Sequence, residues 1–332
     1  MSKNQAAIGL DVGTSRIVVA RKASDDYEFE SQLNAFVSIP HSKITAAVLE
    51  REKIPHTTLA GEIIVHGNES EKFAGILNAE MRRPMSRGVL DAREPEGLRM
   101  IREIITMMIG PAEKDRAKLC FTVPAAPLGA QDSLTYHEAT VRQILTEAGY
   151  QPVAINEGLA VIYAELESSN YTGIGISLGG GLCNVCLAYL SVPVVSFSVA
   201  KAGDFIDASA ASMTGERANR IRLTKEDSFH FNGFFADKIH QVIGVYYDDV
   251  IRSLVGGLKD AFARTRDLPK FNRPLPIVLS GGTALPEGFR DRFEKILWEQ
   301  DFPLAVSEIR LARNPLHTTA KGALVYALSD LQ

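Results

Sequence analysis

Cysteine is scarce in this sequence: the 332 residues include 3, at Cys120, Cys183 and Cys186. Three cysteines are too few for a disulfide framework, so a reducing compartment is expected. Cys183 and Cys186 form a C-x-x-C spacing, but no second pair accompanies them. Because residues three apart on a strand point to opposite faces, this spacing does not predict a metal site.

Long hydrophobic runs and an excess of charge of one sign are also missing. No apolar run approaches the roughly 18 residues of a membrane-spanning helix, and the polar start MSKNQAA does not resemble a signal peptide. The most apolar helical stretch, 104–109, is expected to be the buried end of a helix. The net charge of −4 gives no footprint for nucleic acid, so no nucleic-acid partner is predicted.

What the chain does contain is the composition typical of a soluble globular protein, with 45% hydrophobic and 23% charged residues. Its length suits two domains. Strand-like and helix-like segments alternate, which predicts partly parallel sheets covered by helices. The predicted elements are strands at 118–124, 193–200 and 276–282, a strand leading into a helix at 153–167, and helices at 94–109, 132–149, 235–254 and 314–331.

An internal repeat is the clearest pattern. Residues 8–13 read IGLDVG and residues 174–179 read IGISLG. Each is followed by small or polar residues and then by a β-rich run, RIVVA at 16–20 and NVCLA at 184–188. Two strand–turn–strand units, one early in each half, predict a duplicated architecture.

The second unit has two interpretations. Gly175, Ser177 and Gly179 have the Gly-x-Ser-x-Gly spacing of a hydrolase nucleophile elbow. That elbow needs a helix after the turn, whereas the residues after Gly181 are β-rich, and it leaves the repeat unexplained. The alternative is that Gly179 to Gly181 form a turn whose N–H groups approach a phosphate. A third glycine turn, 280–283, follows a buried strand and suits a nucleoside.

Five segments resemble the motifs of the actin-like ATPase superfamily, which includes actin, DnaK-type chaperones, sugar kinases and the bacterial filament protein MreB. They occur in the superfamily's order, as phosphate 1, connect 1, phosphate 2, adenosine and connect 2, and together span the whole chain. Residues 66–105 are especially similar to MreB. The segments read IGLDVGTSRIVVA, INEGLAVIYA, IGISLGGGLCNVCLA, IVLSGGTALPEGF and NPLHTTAKGALVYA.

The resemblance implies ATP and Mg²⁺ as cofactors, and a role for each matching residue. Asp11 matches the acid that faces the hydrated magnesium, and Glu157 the polar residue near the attacking water. The charge run 214–227 is most simply a solvated helix face, but part of it matches the helix that contacts ribose and adenine. The implied nucleotide-binding residues are Gly13, Thr14, Ser15, Gly179, Gly180, Gly181, Asn219, Arg222, Gly281, Gly282 and Thr283.

Two departures weaken the implied catalysis. In the superfamily, phosphate 2 reads Asp-x-Gly-Gly-Gly-Thr; here Ser177 replaces the aspartate and Leu182 the threonine. A hydroxyl cannot carry the charge that orients a magnesium-bound water. Loss of a general base typically lowers a rate by about 10²–10⁴-fold. We therefore expect ATP binding to survive more readily than hydrolysis, leaving at most a slow ATPase.

The resemblance implies a duplicated, ribonuclease H-like α/β fold with two domains around a nucleotide cleft. Domain I would hold 1–157 plus 313–332, with a small subdomain at 28–90, and domain II would hold 158–312. The implied function is that of a cytoplasmic, MreB-like cytoskeletal protein that self-associates into filaments. The alternatives are a non-polymerising scaffold like PilM or FtsA that recruits a protein partner, and a serine hydrolase using Ser177. A position at the periphery of the inner membrane stays open.

Overall fold

The computed structural model describes residues 7–24, 26–112, 117–128, 134–231, 233–235, 237–265 and 268–329. The strands are β1 Ile8–Val12, β2 Arg16–Ala23, β3 Asp26–Leu33, β4 Phe36–Pro40, β5 His56–Leu59, β6 Glu62–His66, β7 Met85–Ser86, β8 Val89–Leu90, β9 Ala117–Val123, β10 Tyr150–Asn156, β11 Gly173–Leu178, β12 Cys183–Tyr189, β13 Val192–Val199, β14 Leu275–Ser280 and β15 Val306–Leu311. The helices are α1 Lys43–Arg51, α2 Glu69–Leu77, α3 Gly97–Ile109, α4 Thr135–Glu147, α5 Glu157–Glu165, α6 Gly203–Thr214, α7 Ala218–Asp227, α8 Lys238–Arg264, α9 Phe289–Trp298 and α10 Thr318–Ser329. Of the helices in these segments, none is long and apolar enough to cross a membrane.

Two five-stranded sheets repeat one topology. The first has the order β10-β9-β1-β2-β3 and the second β15-β14-β11-β12-β13. In each, a central strand pairs antiparallel with the next strand in the chain and parallel with a later one: β1 with β2 and β9, β11 with β12 and β14. The predicted duplication is therefore confirmed at the level of strand order.

Each sheet has its own apolar core. In the first, Leu10 and Ile17 pack with Ile104 and Ile105 of α3, so the stretch 104–109 is the buried end of a helix as expected. In the second, the central helix is α8, which buries Tyr247. The sequence predicts this helix over 235–254, but it runs to Arg264 because apolar residues continue at helical spacing through Phe262.

The helices α5 and α10 cross where the two halves of the chain meet. A Cβ on Gly322 of α10 would lie 1.8 Å from the carbonyl oxygen of Ala160 in α5, and one on Gly9 of β1 would lie 2.1 Å from that of Ala320 in α10. Real Cβ atoms do not approach other atoms so closely, so both positions require glycine. The crossing is thus packed backbone against backbone.

A small lobe is inserted between β3 and β7. It consists of a three-stranded sheet of order β4-β6-β5 with helices α1 and α2. The predicted subdomain 28–90 starts inside β3, which instead belongs to the first large sheet because it pairs with β2 along its whole length. The division at 157, 158 and 312 stays a prediction, and its ends at 1–6 and 330–332 lie outside the described residues, as does the start of the predicted helix 132–149.

All three cysteines are buried, in β9 and β12. Burial raises the pKa of the Cys120 and Cys183 thiols to about 12 and that of Cys186 to about 11. They stay protonated near neutral pH, which makes them poor nucleophiles.

Candidate functional site

A cavity of about 580 Å³ lies between the two sheets, where the turns of the β1–β2 and β11–β12 hairpins meet. A Cβ on Gly180 would lie 2.2 Å from Ser15 Oγ, and one on Gly181 would lie 2.4 Å from Thr14 Oγ1. A Cβ on Gly181 would also lie 2.6 Å from the backbone nitrogen of Gly88, so a larger residue there would force the backbone to shift. The two halves of the repeat therefore form one cleft.

The third glycine turn closes one side of the cleft. Gly281 has φ +94, and a Cβ there would lie 2.2 Å from the carbonyl oxygen of Leu178. Thr283 donates a hydrogen bond from Oγ1 to the carbonyl oxygen of Gly179 at 2.8 Å. The turn at 281–283 is thus fixed to the second hairpin.

Asp11, at the end of β1, is held by two hydroxyl groups. Thr122 of β9 donates to its Oδ1 at 2.5 Å, and Thr319 of α10 donates to its Oδ2 at 2.6 Å. Burial raises the pKa of Asp11, and the two hydrogen bonds act in the opposite direction. The sequence analysis missed both threonines.

Glu157, the first residue of α5, faces the same cavity. Asn156 caps the helix by accepting from the backbone N–H of Gly158 at 2.8 Å, which fixes the position of Glu157. Burial, and then the charge of Asp11, raises the pKa of Glu157 to about 8, against hydrogen bonds from Ser177 and Asn184. The charge of Asp11 thus acts with burial to favour the protonated form of Glu157.

Ser177 lies inside β11 and donates from Oγ to Glu157 Oε2 at 3.0 Å. The element after its turn is the strand β12, not a helix. Ser177 thus lies within one strand of a β-hairpin, whereas a nucleophile elbow places its serine on the turn between a strand and a helix. The nucleophile-elbow interpretation therefore does not fit this geometry.

Leu182 occupies the end of the second glycine turn and packs on the tip of the β7–β8 hairpin. A Cβ on Gly88 would lie 2.3 Å from Leu182 Cδ1. The backbone N–H of Gly88 also donates to Thr14 Oγ1 at 3.0 Å. The leucine thus provides an apolar contact between the β7–β8 hairpin and the second glycine turn.

The structure brings nearly all of the predicted site residues to the cleft. Asn219 is the exception: it is exposed and accepts from Arg222 Nη2 at 3.0 Å instead of lining the cavity. Predicted residues that line the cavity are Asp11, Gly13, Thr14, Ser15, Glu157, Gly179, Gly180, Gly181, Arg222, Gly281, Gly282 and Thr283.

A buried ion pair in the cleft went unpredicted. Lys225 Nζ lies 2.8 Å from Asp207 Oδ1 and donates to the carbonyl oxygen of Gly203 at 3.2 Å. Burial raises the pKa of Asp207, while Lys225 acts against it. Helix α7 therefore directs charges into the cleft, and the expectation that 214–227 is a solvated face is wrong for Arg222 and Lys225.

Polar contacts join the small lobe to α6 and α7 across the mouth of the cleft. Arg83 Nη1 lies 2.8 Å from Asp204 Oδ1, and Arg217 donates from Nη1 to Asn78 Oδ1 at 2.6 Å. Arg222 forms an ion pair with Glu71 of α2. We call these three pairs the cleft-spanning contacts, since they connect the two sides of the cleft.

Twin sheets of this topology around a glycine-lined cleft define a two-lobed protein of the actin-like ATPase fold. Solved structures of that fold agree with the chain over nearly its whole length. They include the MamK double helical filament (TM-score 0.73, 17% identity, covering 98% of this chain and 99% of that one) and MreB5 of Spiroplasma citri bound to ADP (0.68, 14%, 98% and 97%). They also include the ethanolamine utilization protein EutJ from Carboxydothermus hydrogenoformans (0.55, 17%, 97% and 89%).

The chain belongs to the Volactin family, whose model matches residues 6–327. No curated protein matches its sequence. At these identities the solved structures establish the fold alone.

Proposed function

We propose that this protein binds ATP with Mg²⁺ in the cleft and assembles into cytoskeletal filaments. The observation that carries the proposal is the meeting of two glycine turns over the Asp11–Glu157 pair in a cavity of about 580 Å³. Support also comes from the structural neighbours, which include a MamK filament and MreB5 with ADP or AMPPNP.

The phosphates would lie between the two hairpin turns. Thr14 and Ser15 would offer backbone N–H groups and hydroxyls from one side, and Gly180 and Gly181 would offer N–H groups from the other. The N–H groups of Gly13 and Gly179 instead close their own turns by donating to the carbonyl oxygens of Arg16 and Leu182. The nucleoside would lie between the turn at 281–283 and Arg222 of α7, which line the same cavity.

The residues present fit a magnesium ion that comes with its nucleotide. Among the described residues no cluster of three His, Cys, Asp or Glu side chains could hold a metal alone. Mg²⁺ needs only one or two carboxylates when phosphates and waters supply the other ligands, and Asp11, which lines the cavity, would face it through water. The ion would neutralise phosphate charge and orient a water.

Hydrolysis in this cleft would be slow for two reasons. Ser177 supplies a neutral hydroxyl where the superfamily motif has a carboxylate. Glu157, with its pKa raised to about 8, is largely protonated near neutral pH and cannot accept a proton until it ionises. Slow hydrolysis would then keep the bound nucleotide as ATP, as suits a nucleotide-stabilised assembly.

The nucleotide would bridge domain I (1–157 plus 313–332) and domain II (158–312). It can bias the angle between them only through a difference in affinity for the open and closed forms. That angle would set the fit of head-to-tail contacts, which generate open polymers. We place this assembly in the cytoplasm, with the inner-membrane periphery as a further site.

The test is titration calorimetry of ATP with Mg²⁺ on wild type and on Ser177→Asp, with phosphate release followed on the same samples. We expect wild type to bind but to turn over slowly, and Ser177→Asp to raise turnover by about 10²-fold or more. Absence of ATP binding by wild type would reject the proposal.

A non-polymerising scaffold that recruits a protein partner is the second candidate. The observations that favour it are Ser177 and Leu182, because a scaffold needs nucleotide for shape and not for turnover. Pelleting as a function of protein concentration, with and without ATP, separates the two. Nucleotide-dependent pelleting with a critical concentration supports the filament, and its absence despite ATP binding supports the scaffold.

A further inference from the structure

Arg16 is one of the cations that line the cleft. Among the described residues, three lysine or arginine side chains line the cavity: Arg16, Arg222 and Lys225. Arg222 is paired with Glu71 and Glu226, and Lys225 with Asp207. The guanidinium of Arg16 has neither an ion pair nor a hydrogen bond to any residue that the structure describes.

The position of Arg16 is fixed by the first glycine turn. Its carbonyl oxygen accepts from the backbone N–H of Gly13 at 3.0 Å, which closes the turn, and Arg16 then begins β2. Val18, two residues on, also lines the cavity, whereas Ile17 packs in the core. Strand alternation thus puts Arg16 on the cleft side of β2, next to Thr14 and Ser15.

The acidic groups at this end of the cleft favour the presence of a cation. Asp11 and Glu157 lie at the floor, and a polyphosphate adds several negative charges beside them. A guanidinium matches phosphate oxygens with paired donors and stays charged at any ordinary pH.

We propose that Arg16 binds the polyphosphate of the nucleotide, as the one cation of the first hairpin turn. This inference rests on the proposed ATP binding and adds a residue to it. Because the contact is with the polyphosphate, removing it should weaken the binding of a triphosphate more than that of a monophosphate.

The experiment compares the affinities of ATP and AMP, by calorimetry with Mg²⁺, for wild type, Arg16→Met and Arg16→Lys. We expect Arg16→Met to raise the Kd for ATP by about 10- to 100-fold and to change that for AMP by much less. Arg16→Lys should raise the Kd for ATP by less, because lysine keeps the positive charge although it lacks the paired donors of the guanidinium. Arg21→Met is the matched control, because Arg21 lies on the same strand but donates to the carbonyl oxygen of Met108 at 2.7 Å.

Equal ATP affinity of wild type and Arg16→Met would overturn the inference and leave the proposed function standing. An equal loss for AMP and ATP would also overturn it, because a general structural role weakens both. If wild type binds neither nucleotide, the proposed function fails and this inference with it.

Discussion

Replacing Glu71 of α2 tests whether the cleft-spanning contacts control the rate of nucleotide exchange. The Arg222 side chain is 6% exposed and that of Glu71 is 35% exposed. An exposed ion pair stabilises by about 1 kcal/mol or less, whereas breaking a buried one costs about 3–5 kcal/mol. In Glu71→Gln, Arg222 would still form its ion pair with Glu226, 3.0 Å away. The substitution should therefore destabilise the closed form, in which the cleft-spanning contacts are made, by about 1–2 kcal/mol. That corresponds to about a 5- to 30-fold shift toward the open form.

The assay is stopped-flow release of a fluorescent ATP analogue, with excess ATP as competitor. Release from Glu71→Gln should be about 5- to 30-fold faster than from wild type, and added salt should narrow the difference by screening the pair. Glu69→Gln is the control, because Glu69 lies on the same helix but pairs with Lys72, 3.9 Å away. Equal release rates for wild type and Glu71→Gln, or an equal acceleration by Glu69→Gln, would refute the reasoning.

Further predictions concern acid stability, the helix crossing and the Asp11 site. Burial lowers the pKa of His66 and His137 to about 4. Each neutral imidazole should therefore contribute up to about 3 kcal/mol to the free energy of unfolding. This contribution is present above pH 6.5 and is lost as the pH falls toward 4. A plot of Tm against pH should fall less steeply in acid for His66→Gln. In chemical denaturation Gly322→Ala should lose about 3 kcal/mol, because its methyl group meets the backbone of α5, whereas Gly256→Ala, with open space around it, should gain about 1 kcal/mol. Thr319→Val should weaken Mg²⁺-dependent ATP binding by about 10-fold and Thr319→Ser should restore it; an equally weak serine variant would contradict the role of the hydroxyl.

Local patterns carried most of the prediction of the fold. The two repeat units at 8–20 and 174–188 each became a hairpin, since alternating apolar residues around small polar ones leave few other structures. The boundaries of elements and subdomains were less predictable. The helix predicted at 235–254 extends to Arg264. Strand β3 joins the first large sheet by pairing with β2, and its own residues do not specify that partner.

The site also contains residues that could be predicted from local patterns and residues that could not. Turn residues such as Gly13 and Gly180 follow from the motif, because glycine is needed wherever backbone meets backbone. Contacts between distant segments do not: Asp11 meets Thr319, which is 308 residues away. Asn219 does not line the cavity, because its place in a motif does not determine which side of α7 faces the cleft.

The burial of all three thiols makes the protein ready for spectroscopic labelling. A cysteine introduced on the exposed part of α2 and another on α7 would react with a maleimide far faster than Cys120, Cys183 or Cys186, whose sulfur atoms are both shielded and protonated. The three native cysteines therefore need not be replaced before labelling, and the core stays unchanged. Energy transfer between the two labels would then follow the width of the cleft in single molecules, with and without nucleotide.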